Sequence, residues 1–299
     1  MQLYYYRGCL GNFGDELNPL IWPRLLPGLL DADPSVLLVG MGTILSDHLP
    51  PGPRKVVMGS GTGYGKPATL DSTFDVRFVR GPNTAKALGL PVSASITDPA
   101  ILLPTLVTNT VQAGKRVAFM PHHVSAHYLD WRKVCRLAGI RYLDPEAAPK
   151  TVIAGIRASR LLICEAMHGA IVADAFRVPW IPVRIYPHFN DFKWLDWTDS
   201  MQLSPTIHSL PASYDQSSRK LWRRIPTTIR AALHQRTPFP TLPSAPDAAL
   251  SGQKPPYADL AGALVGLTRE NGFLSQDGLV ESKTGAIMDQ VQSLLREYR

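Results

Sequence analysis

Residues 160–178 read RLLICEAMHGAIVADAFRV, and this stretch indicates the fold class most clearly. Its apolar run over 160–165 predicts a β-strand covered on both faces, and 169–178 predicts an apolar helix that follows directly. A buried strand that passes straight into a helix is the building unit of an α/β protein with a parallel sheet. The turn between them, AMHG at 166–169, lies where such sheets bind ligands.

The same pattern recurs over the first 210 residues. Apolar and β-branched runs predict strands at 2–7, 36–40, 55–59, 76–80, 95–97, 116–121, 141–144, 160–165 and 180–185. Helical patterns lie between them, most regularly at 130–139, 148–159 and 169–178. Pro, Thr, Asn and Gly break the pattern near 103–114. We therefore predict an α/β fold with two Rossmann-like domains, 1–108 and 109–210, and a cleft between them.

Composition agrees with a globular protein. The 299 residues are 45% apolar and 18% charged, which excludes a disordered polymer and a charged coiled coil. No long apolar window predicts a membrane span, and the first residues do not resemble a secretion signal. Cys9, Cys135 and Cys164 form no CxxC motif, so we expect reduced core thiols in a cytoplasmic protein.

Two excesses of the composition are local. Proline accounts for 27 residues, and eight of these prolines lie between 211 and 256. Residues 211–240 also carry six basic residues against one acidic residue, within a net charge of +7. We assign 211–283 as a basic, proline-rich segment that is partly loop, and 284–299 as an amphipathic helix that packs back on the first domain. A charge excess confined to one segment argues against nucleic acid as a partner.

Three glycine-rich loops each follow a predicted strand, at 8–16, 40–43 and 59–65. Backbone N–H groups converge at such positions, which favours anion or substrate binding. The spacing matches neither GxGxxG nor a P-loop, so dinucleotide and ATP sites are disfavoured. A simple glycine-rich turn with Asp15 as helix cap remains the alternative for the first loop.

Polar residues end several strands. Arg80 precedes a helix start, where a guanidinium binds phosphate or carboxylate, although pairing with a nearby acid explains it equally well. Asp98 ends the predicted strand 95–97, as catalytic or orienting carboxylates do. His122 and His123 follow the strand 116–121 and are expected to bind substrate rather than structural zinc, because further metal ligands are lacking.

The strongest candidate site is the turn at 165–169. His168 is expected near a helix N-terminus at the cleft, and Glu165 is expected to orient its imidazole. A core histidine held by a backbone carbonyl is the alternative. After the last strand, Arg184, Lys193 and Trp194 mix cations with an aromatic ring, which suits a sugar face and an anion, although Trp194 suits a core position equally.

Seven stretches, taken in order, resemble the polysaccharide pyruvyl transferase family, in particular bacterial exopolysaccharide ketal pyruvyltransferases of the succinoglycan and xanthan type. They are GNFGDELN at 11–18, GMGT at 40–43, GSG at 59–61, VRG at 79–81, TDPA at 97–100, PH at 121–122 and EAMHGA at 165–170. The resemblance covers roughly residues 1–200, and the basic segment lies outside it.

The resemblance implies a glycosyltransferase-B-like (GT-B-like) pair of domains that takes phosphoenolpyruvate as donor and forms a pyruvate ketal on a sugar, with no cofactor and no metal. Acceptors of the family are lipid-linked oligosaccharides. Many relatives carry Arg-Leu-His-Gly where this chain has AMHG at 166–169. Arg80, Arg184 or Lys193 is then expected to meet the donor's charge.

Under this resemblance His168 is the acid, supported by Glu165 and Asp98. Donor binding falls to Arg80, Asn12, Gly14, Asp15, Gly42, Thr43, Gly61, Arg184 and Lys193. Acceptor binding falls to His122, His123 and Trp194. A GT-B nucleotide-sugar glycosyltransferase and a non-catalytic saccharide-binding paralogue are the alternatives.

Residues 218–236 interleave arginines with Leu221, Trp222, Ile225 and Ile229. This pattern predicts peripheral contact with the anionic inner face of the plasma membrane, which suits a lipid-linked acceptor. A solvent-exposed helix beside a disordered proline-rich loop is the alternative.

Overall fold

The computed structural model describes residues 1–7, 11–108, 114–215 and 256–298, and its strands form two parallel sheets. The first sheet has the order β1-β2-β3-β4, with β1 (Gln2–Tyr4), β2 (Val36–Val39), β3 (Arg54–Met58) and β4 (Phe74–Phe78). The second has the order β6-β5-β7-β8-β9, with β5 (Arg116–Met120), β6 (Arg141–Tyr142), β7 (Ser159–Cys164), β8 (Trp180–Arg184) and β9 (His208–Ser209). Every neighbouring pair is parallel, so the predicted α/β class with parallel sheets is confirmed.

Helices connect and cover the strands. They are α1 (Asn18–Leu25), α2 (Pro82–Ala87), α3 (Leu103–Leu106), α4 (Trp131–Ala138), α5 (Pro149–Arg157), α6 (Met167–Ala175), α7 (Asp191–Ser200), α8 (Tyr257–Leu267) and α9 (Asp277–Glu297). Local chemistry sets their ends: the Asp130 carboxylate accepts the Lys133 N–H at the start of α4, and Gly139 ends α4 at a φ of 67°.

The predicted strand at 95–97 is wrong. Ser95 makes one isolated bridge with Val79, and the chain then enters a short 3₁₀ helix at Pro99–Leu102. Pro99 lacks an N–H group and cannot continue a ladder, while the Asp98 carboxylate accepts the Ala100 N–H and starts the 3₁₀ turn. The two-residue strand β9 was too short to give a pattern.

A single hydrophobic cluster joins the two sheets. It contains Leu38 of β2 and Leu162 of β7, together with Leu294 of α9, all fully buried. The loop before α1 also touches the second half, because the Phe13 N–H donates to the carbonyl of Pro145 over 2.9 Å. The division into domains at 108 and 210 stays a prediction.

The C-terminal helix begins at Asp277 rather than at 284 and reaches the first sheet. Its Glu297 carboxylate pairs with Arg54 of β3 and Arg77 of β4. The segment predicted as basic and proline-rich contains α8, which packs on α4; its remaining residues at 216–255, with the predicted membrane contact at 218–236, lie outside the described residues. None of the described helices is long and apolar enough to traverse a lipid bilayer.

Candidate active site

A cavity of about 270 Å³ lies between the two halves, beside the loops that follow the strands. Its walls come from both halves: Tyr6, Asn12, Asp15, Gly42, Thr43, Ile44, Tyr64, His122, His123, Val124, Met167, His168, His188 and Lys193. The loops after β1, β2 and β3 form one wall, and the loops after β5, β7 and β8 form the other. Carboxyl ends of parallel strands share one edge of a sheet, which explains why these distant stretches meet.

His168 lies in the first turn of α6, directly after the buried strand β7. Its ring packs so closely on Gly14 that a Cβ at Gly14 would overlap the ring nitrogen Nδ1. The other nitrogen, Nε2, lies 3.3 Å from Oδ2 of Asp98, a carboxylate with no exposed surface. Neither of these two atoms has a hydrogen-bond partner among the described residues, so Nε2 of His168 and Oδ2 of Asp98 face each other.

Glu165 has a different task from the one expected. Its carboxylate accepts the backbone N–H of His122 at 3.0 Å and that of Tyr186 at 3.4 Å. It therefore fastens the loop after β5 to the loop after β8. Burial raises the pKa of Glu165 to about 7. In the structure the carboxylate beside His168 is that of Asp98, and Glu165 supports the wall behind the cavity.

Asp15 brings a second carboxylate into the cavity. The Asn12 side-chain amide donates to Oδ2 of Asp15 over 2.5 Å, and Oδ1 of Asn12 accepts the Gly14 N–H at 3.2 Å. Burial raises the pKa of Asp15 to about 7, although His168, Lys193 and the Asn12 hydrogen bond pull it down. Asp15 is therefore poised between its protonated and ionised forms near neutral pH.

Three imidazoles form the wall on the second half. The ring of His122 lies 4.2 Å from that of His123 and 5.0 Å from that of His188, measured between centroids. Burial and the nearby Lys193 lower the pKa of His123 to about 3 and that of His188 to about 4, and lower that of His122 well below its usual value. These rings are neutral at neutral pH and can both donate and accept hydrogen bonds, as sugar hydroxyls do.

Lys193 is the single lysine or arginine among the described residues that line the cavity. It lies in the first turn of α7, where the Asn190 side chain accepts the Lys193 N–H at 3.1 Å. The Asn190 amide donates to the carbonyl of Gly63 at 2.7 Å, and the Lys193 ammonium lies 3.2 Å from the Tyr64 hydroxyl. The glycine-rich loop of the first half thus holds this lysine in place.

Arg80 lies behind the cavity and does not line it. Its Nε donates to Asp196 at 2.9 Å, one Nη donates to the Thr43 hydroxyl at 2.9 Å, and the other donates to the carbonyl of Thr62 at 3.2 Å. Gly61 has no side chain because a Cβ there would overlap the guanidinium. Arg80 and Asp196 are both fully buried. The arginine reaches the cavity only through Thr43, one of its lining residues.

The remaining predicted site residues separate into two groups. Asn12, Asp15, Gly42, Thr43, His122, His123, His168 and Lys193 meet at the cavity. Arg184 instead pairs with Asp191, and Trp194 is buried in the core, where its ring stacks on Phe189 at 5.6 Å between centroids. Neither lines the cavity: α7 turns Trp194 into the hydrophobic core, and Arg184, at the end of β8, is engaged with Asp191.

Sequence reasoning missed three polar lining residues. Tyr6 follows the first strand, and Tyr64 lies within the third glycine-rich loop, so their positions carried a usable signal. His188 lies in the stretch at 184–194, and its Nε2 is 2.9 Å from the Ser125 hydroxyl. Among the described residues no three His, Cys, Asp or Glu side chains gather as a metal-binding group.

The buried Arg80–Asp196 pair predicts a stability effect. Arg80→Gln and Asp196→Asn each leave buried partners unsatisfied, so each should lower the free energy of unfolding by about 3–5 kcal/mol. The double variant should lose less than the two single losses combined, because the second change removes the orphaned partner. Urea unfolding measures both. The exposed Lys86→Gln, on the neighbouring α2, serves as control and should stay within about 0.5 kcal/mol. Wild-type stability of Arg80→Gln would show that Arg80 is not a structural partner.

Asp15 predicts a pH-dependent stability. Its pKa is higher in the folded protein than the ordinary value of 3.8, so its stabilising contribution is complete below pH 4 and is lost as pH rises through about 7. Asn does not ionise, so the Asp15→Asn variant does not lose this stability as pH rises. The variant should therefore gain stability over the wild type between pH 5 and pH 8, by at least about 1 kcal/mol in urea unfolding. Asp289→Asn, on the exposed face of α9, should show a much smaller change. If the free energy of unfolding of Asp15→Asn differed from that of the wild type by the same amount at pH 5 and at pH 8, the raised pKa would be contradicted.

Comparison with known proteins places the chain in a family. The family model described as polysaccharide pyruvyl transferase matches residues 40–185, the region that supplies much of the cavity. The chain is also similar to the succinoglycan biosynthesis protein ExoV of Rhizobium meliloti (strain 1021), with 40% identity over 219 residues, covering 71% of this chain and 69% of that protein. No solved structure matches. This chain belongs to the polysaccharide pyruvyl transferase family.

Proposed function

We propose that the protein is a ketal pyruvyltransferase that moves pyruvate from phosphoenolpyruvate to a sugar of an exopolysaccharide repeat unit and releases phosphate. Family membership supports the reaction class, and the relative named for succinoglycan biosynthesis supports the polysaccharide product. The observation that carries the proposal is one cavity holding an imidazole beside a buried carboxylate, a second carboxylate and a fixed ammonium: His168 with Asp98, Asp15 and Lys193.

The reaction requires four proton transfers. Two protons pass from the protein to the donor, and two pass from the sugar hydroxyls to the protein. Protonation of the methylene carbon of phosphoenolpyruvate gives C2 oxocarbenium character, and a first sugar hydroxyl adds to C2 and loses its proton. The C2–O bond to phosphate then breaks, and a second hydroxyl adds to C2 and loses its proton. The products are the ketal and inorganic phosphate. An acid, a base and a cation for the phosphate are the minimum set of groups.

His168 is the proposed proton donor to the methylene carbon. Its Nε2 lies 3.3 Å from the buried Asp98 carboxylate, whose negative charge balances an imidazolium. Asp15 is the proposed base for the first hydroxyl, because its raised pKa of about 7 gives a carboxylate strong enough to take a proton near neutral pH. In the second half of the reaction the roles exchange: protonated Asp15 assists phosphate departure, and neutral His168 takes the second hydroxyl proton.

Lys193 is the proposed clamp for the donor. It is the cation that lines the cavity, whereas Arg80 and Arg184 are engaged with Asp196 and Asp191. An ammonium is a suitable point charge for phosphate or carboxylate. Many relatives have an arginine where this chain has Ala166. Lys193 therefore balances the donor's charge in place of that arginine.

The acceptor is proposed to lie against the neutral imidazoles of His122, His123 and His188, with the rings of Tyr6 and Tyr64 on the opposite wall. Neutral rings bind hydroxyls without competing with the donor for charge. Aromatic faces also pack well on the apolar face of a sugar.

The finer parts of the proposal concern architecture and setting. Two parallel sheets with a cavity between them suit a GT-B-like pair of Rossmann-like domains. We propose a lipid-linked oligosaccharide as acceptor and a cytoplasmic location at the inner face of the plasma membrane.

The direct test mixes the full chain with phosphoenolpyruvate and a lipid-linked or model glycoside and follows phosphate release. Wild-type protein should release phosphate, with a ketal product seen by mass spectrometry. Turnover with a nucleotide sugar instead would support the glycosyltransferase alternative, and saccharide binding without turnover on either donor would support a non-catalytic paralogue.

His168→Asn should lower kcat by about 10²–10⁴-fold, because the proton donor is lost. The exposed His48→Asn, which removes an imidazole outside the cavity, should keep wild-type turnover. Thermal unfolding checks that both variants are folded. Near wild-type turnover by a folded His168→Asn would remove His168 from the mechanism.

Lys193→Gln should raise the KM for phosphoenolpyruvate about tenfold or more, since a charged hydrogen bond to the donor is worth about 1.5–3 kcal/mol. The KM for the acceptor should change much less. The matched control is Lys66→Gln, an exposed lysine that follows the third glycine-rich loop. An unchanged donor KM in Lys193→Gln would place the donor's charge elsewhere.

A further inference from the structure

A second cavity, of about 710 Å³, lies at the opposite edge of the second sheet, where β5 and β6 begin. Four of its lining residues are basic and none is acidic: Lys115, Arg116, Arg136 and Arg141. We refer to these four residues and the cavity they line as the basic hollow. Because the candidate active site lies at the carboxyl ends of the strands, the basic hollow is separate from it.

Within the part of the chain that the structure describes, no acidic side chain pairs with the charges of the basic hollow. None of its four basic residues forms an ion pair with another described residue, whereas Arg132 of the same helix α4 pairs with Asp144. Residues 109–113, which adjoin the hollow in sequence, read NTVQA and contain no acid. Four unbalanced like charges around one cavity repel each other, and an anion that binds there relieves the repulsion.

An adjoining groove extends this face. It runs between α1 and α5 and is lined by Leu20, Arg24, Leu106, Val107, Thr108, Lys150, Ile153, Ala154 and Arg157. Arg157 of the groove and Ala158 of the basic hollow are consecutive in the chain, so the two cavities are neighbours. The groove adds three basic residues and an apolar floor, again without an acid. Basic residues around apolar side chains are typical of surfaces that bind anionic membranes.

We propose that this face, formed by the basic hollow and the adjoining groove, docks on the headgroups of anionic phospholipids at a membrane surface. The partner is a surface and not one small anion because the cations are spread over two open cavities. The basic hollow lies at the edge opposite the carboxyl ends of the second sheet, so docking through it leaves the cavity with His168 clear of the lipid. This docking does not depend on the proposed transferase activity, and its residues are distinct from 218–236.

The experiment measures binding of the full chain to vesicles that contain phosphatidylglycerol and to vesicles of phosphatidylcholine alone. Each cation near an anionic surface contributes about a fivefold factor in affinity, equivalent to about 1 kcal/mol. Arg136→Gln/Arg141→Gln should therefore weaken binding to the anionic vesicles roughly 25-fold. Arg136→Lys/Arg141→Lys should retain binding, and added salt should weaken it. Neutral vesicles should bind poorly in every case.

The control Lys66→Gln/Lys86→Gln removes the same charge from exposed positions of the first half and should bind nearly as wild type. If Arg136→Gln/Arg141→Gln and Lys66→Gln/Lys86→Gln lost equal affinity for anionic vesicles, net charge alone would explain the binding and the proposal would be overturned. The proposal would also be overturned if vesicle binding disappeared only in Arg223→Gln/Arg224→Gln, or if the wild-type chain did not bind vesicles at all. Binding of soluble pyrophosphate that Arg136→Gln/Arg141→Gln abolishes, without vesicle binding, would replace it by a small-anion site. Phosphate release on a soluble acceptor should be unaffected in Arg136→Gln/Arg141→Gln, which separates this test from that of the transferase.

Discussion

The buried carboxylate of Asp196 connects the two halves where the cavity forms. It accepts hydrogen bonds from the Arg80 guanidinium at 2.9 Å and from the backbone N–H and hydroxyl of Thr84 at 2.7 and 2.6 Å. Asp196 belongs to α7, which follows β8 of the second sheet, whereas Arg80 and Thr84 follow β4 of the first. Two fully buried charges are tolerated only when both are paired and hydrogen-bonded, so this contact fixes α7 against the first half. Gly81 must lack a side chain here, because a Cβ would overlap the Asp196 carbonyl.

The position of α7 determines the electrostatics of the cavity. Its first turn carries Lys193 to the wall opposite Asp15, and Asn190 ties the same turn to the glycine-rich loop of the first half. The Lys193 ammonium then acts on Asp15 and on the three imidazoles of the facing wall. Burial is the main cause that lowers the pKa of the His123 and His188 imidazoles, and Lys193 lowers both further. Burial raises the pKa of Asp15, and Lys193 offsets part of that rise. The imidazoles are therefore neutral and can both donate and accept hydrogen bonds. Burial leaves Asp15 able to exchange protons near neutral pH.

Much of this arrangement could be predicted from the sequence. The features that could not be predicted depend on contacts between residues far apart in the chain. Continuous apolar runs gave the parallel strands, and the strand ends gave Asp15, His122 and His168 as cavity residues. The sequence offered Arg80, Arg184 and Lys193 as candidate cations for the donor, with Arg80 as the chief one. Which of them faces the cavity depends on Asp196, a partner 116 residues from Arg80, and no local pattern reports such a contact. The carboxylates show the same limit: Glu165 is three residues from His168 in sequence, yet Asp98 is the one beside its imidazole.

We propose that the cavity between the sheets binds the donor with its methylene carbon toward His168 and its charge on Lys193. A crystal structure of the full chain with phosphoenolpyruvate tests this most directly. We expect the phosphate or carboxylate group within hydrogen-bond distance of the Lys193 ammonium and the methylene carbon facing the imidazole of His168. Phosphoenolpyruvate bound away from these two residues would contradict it.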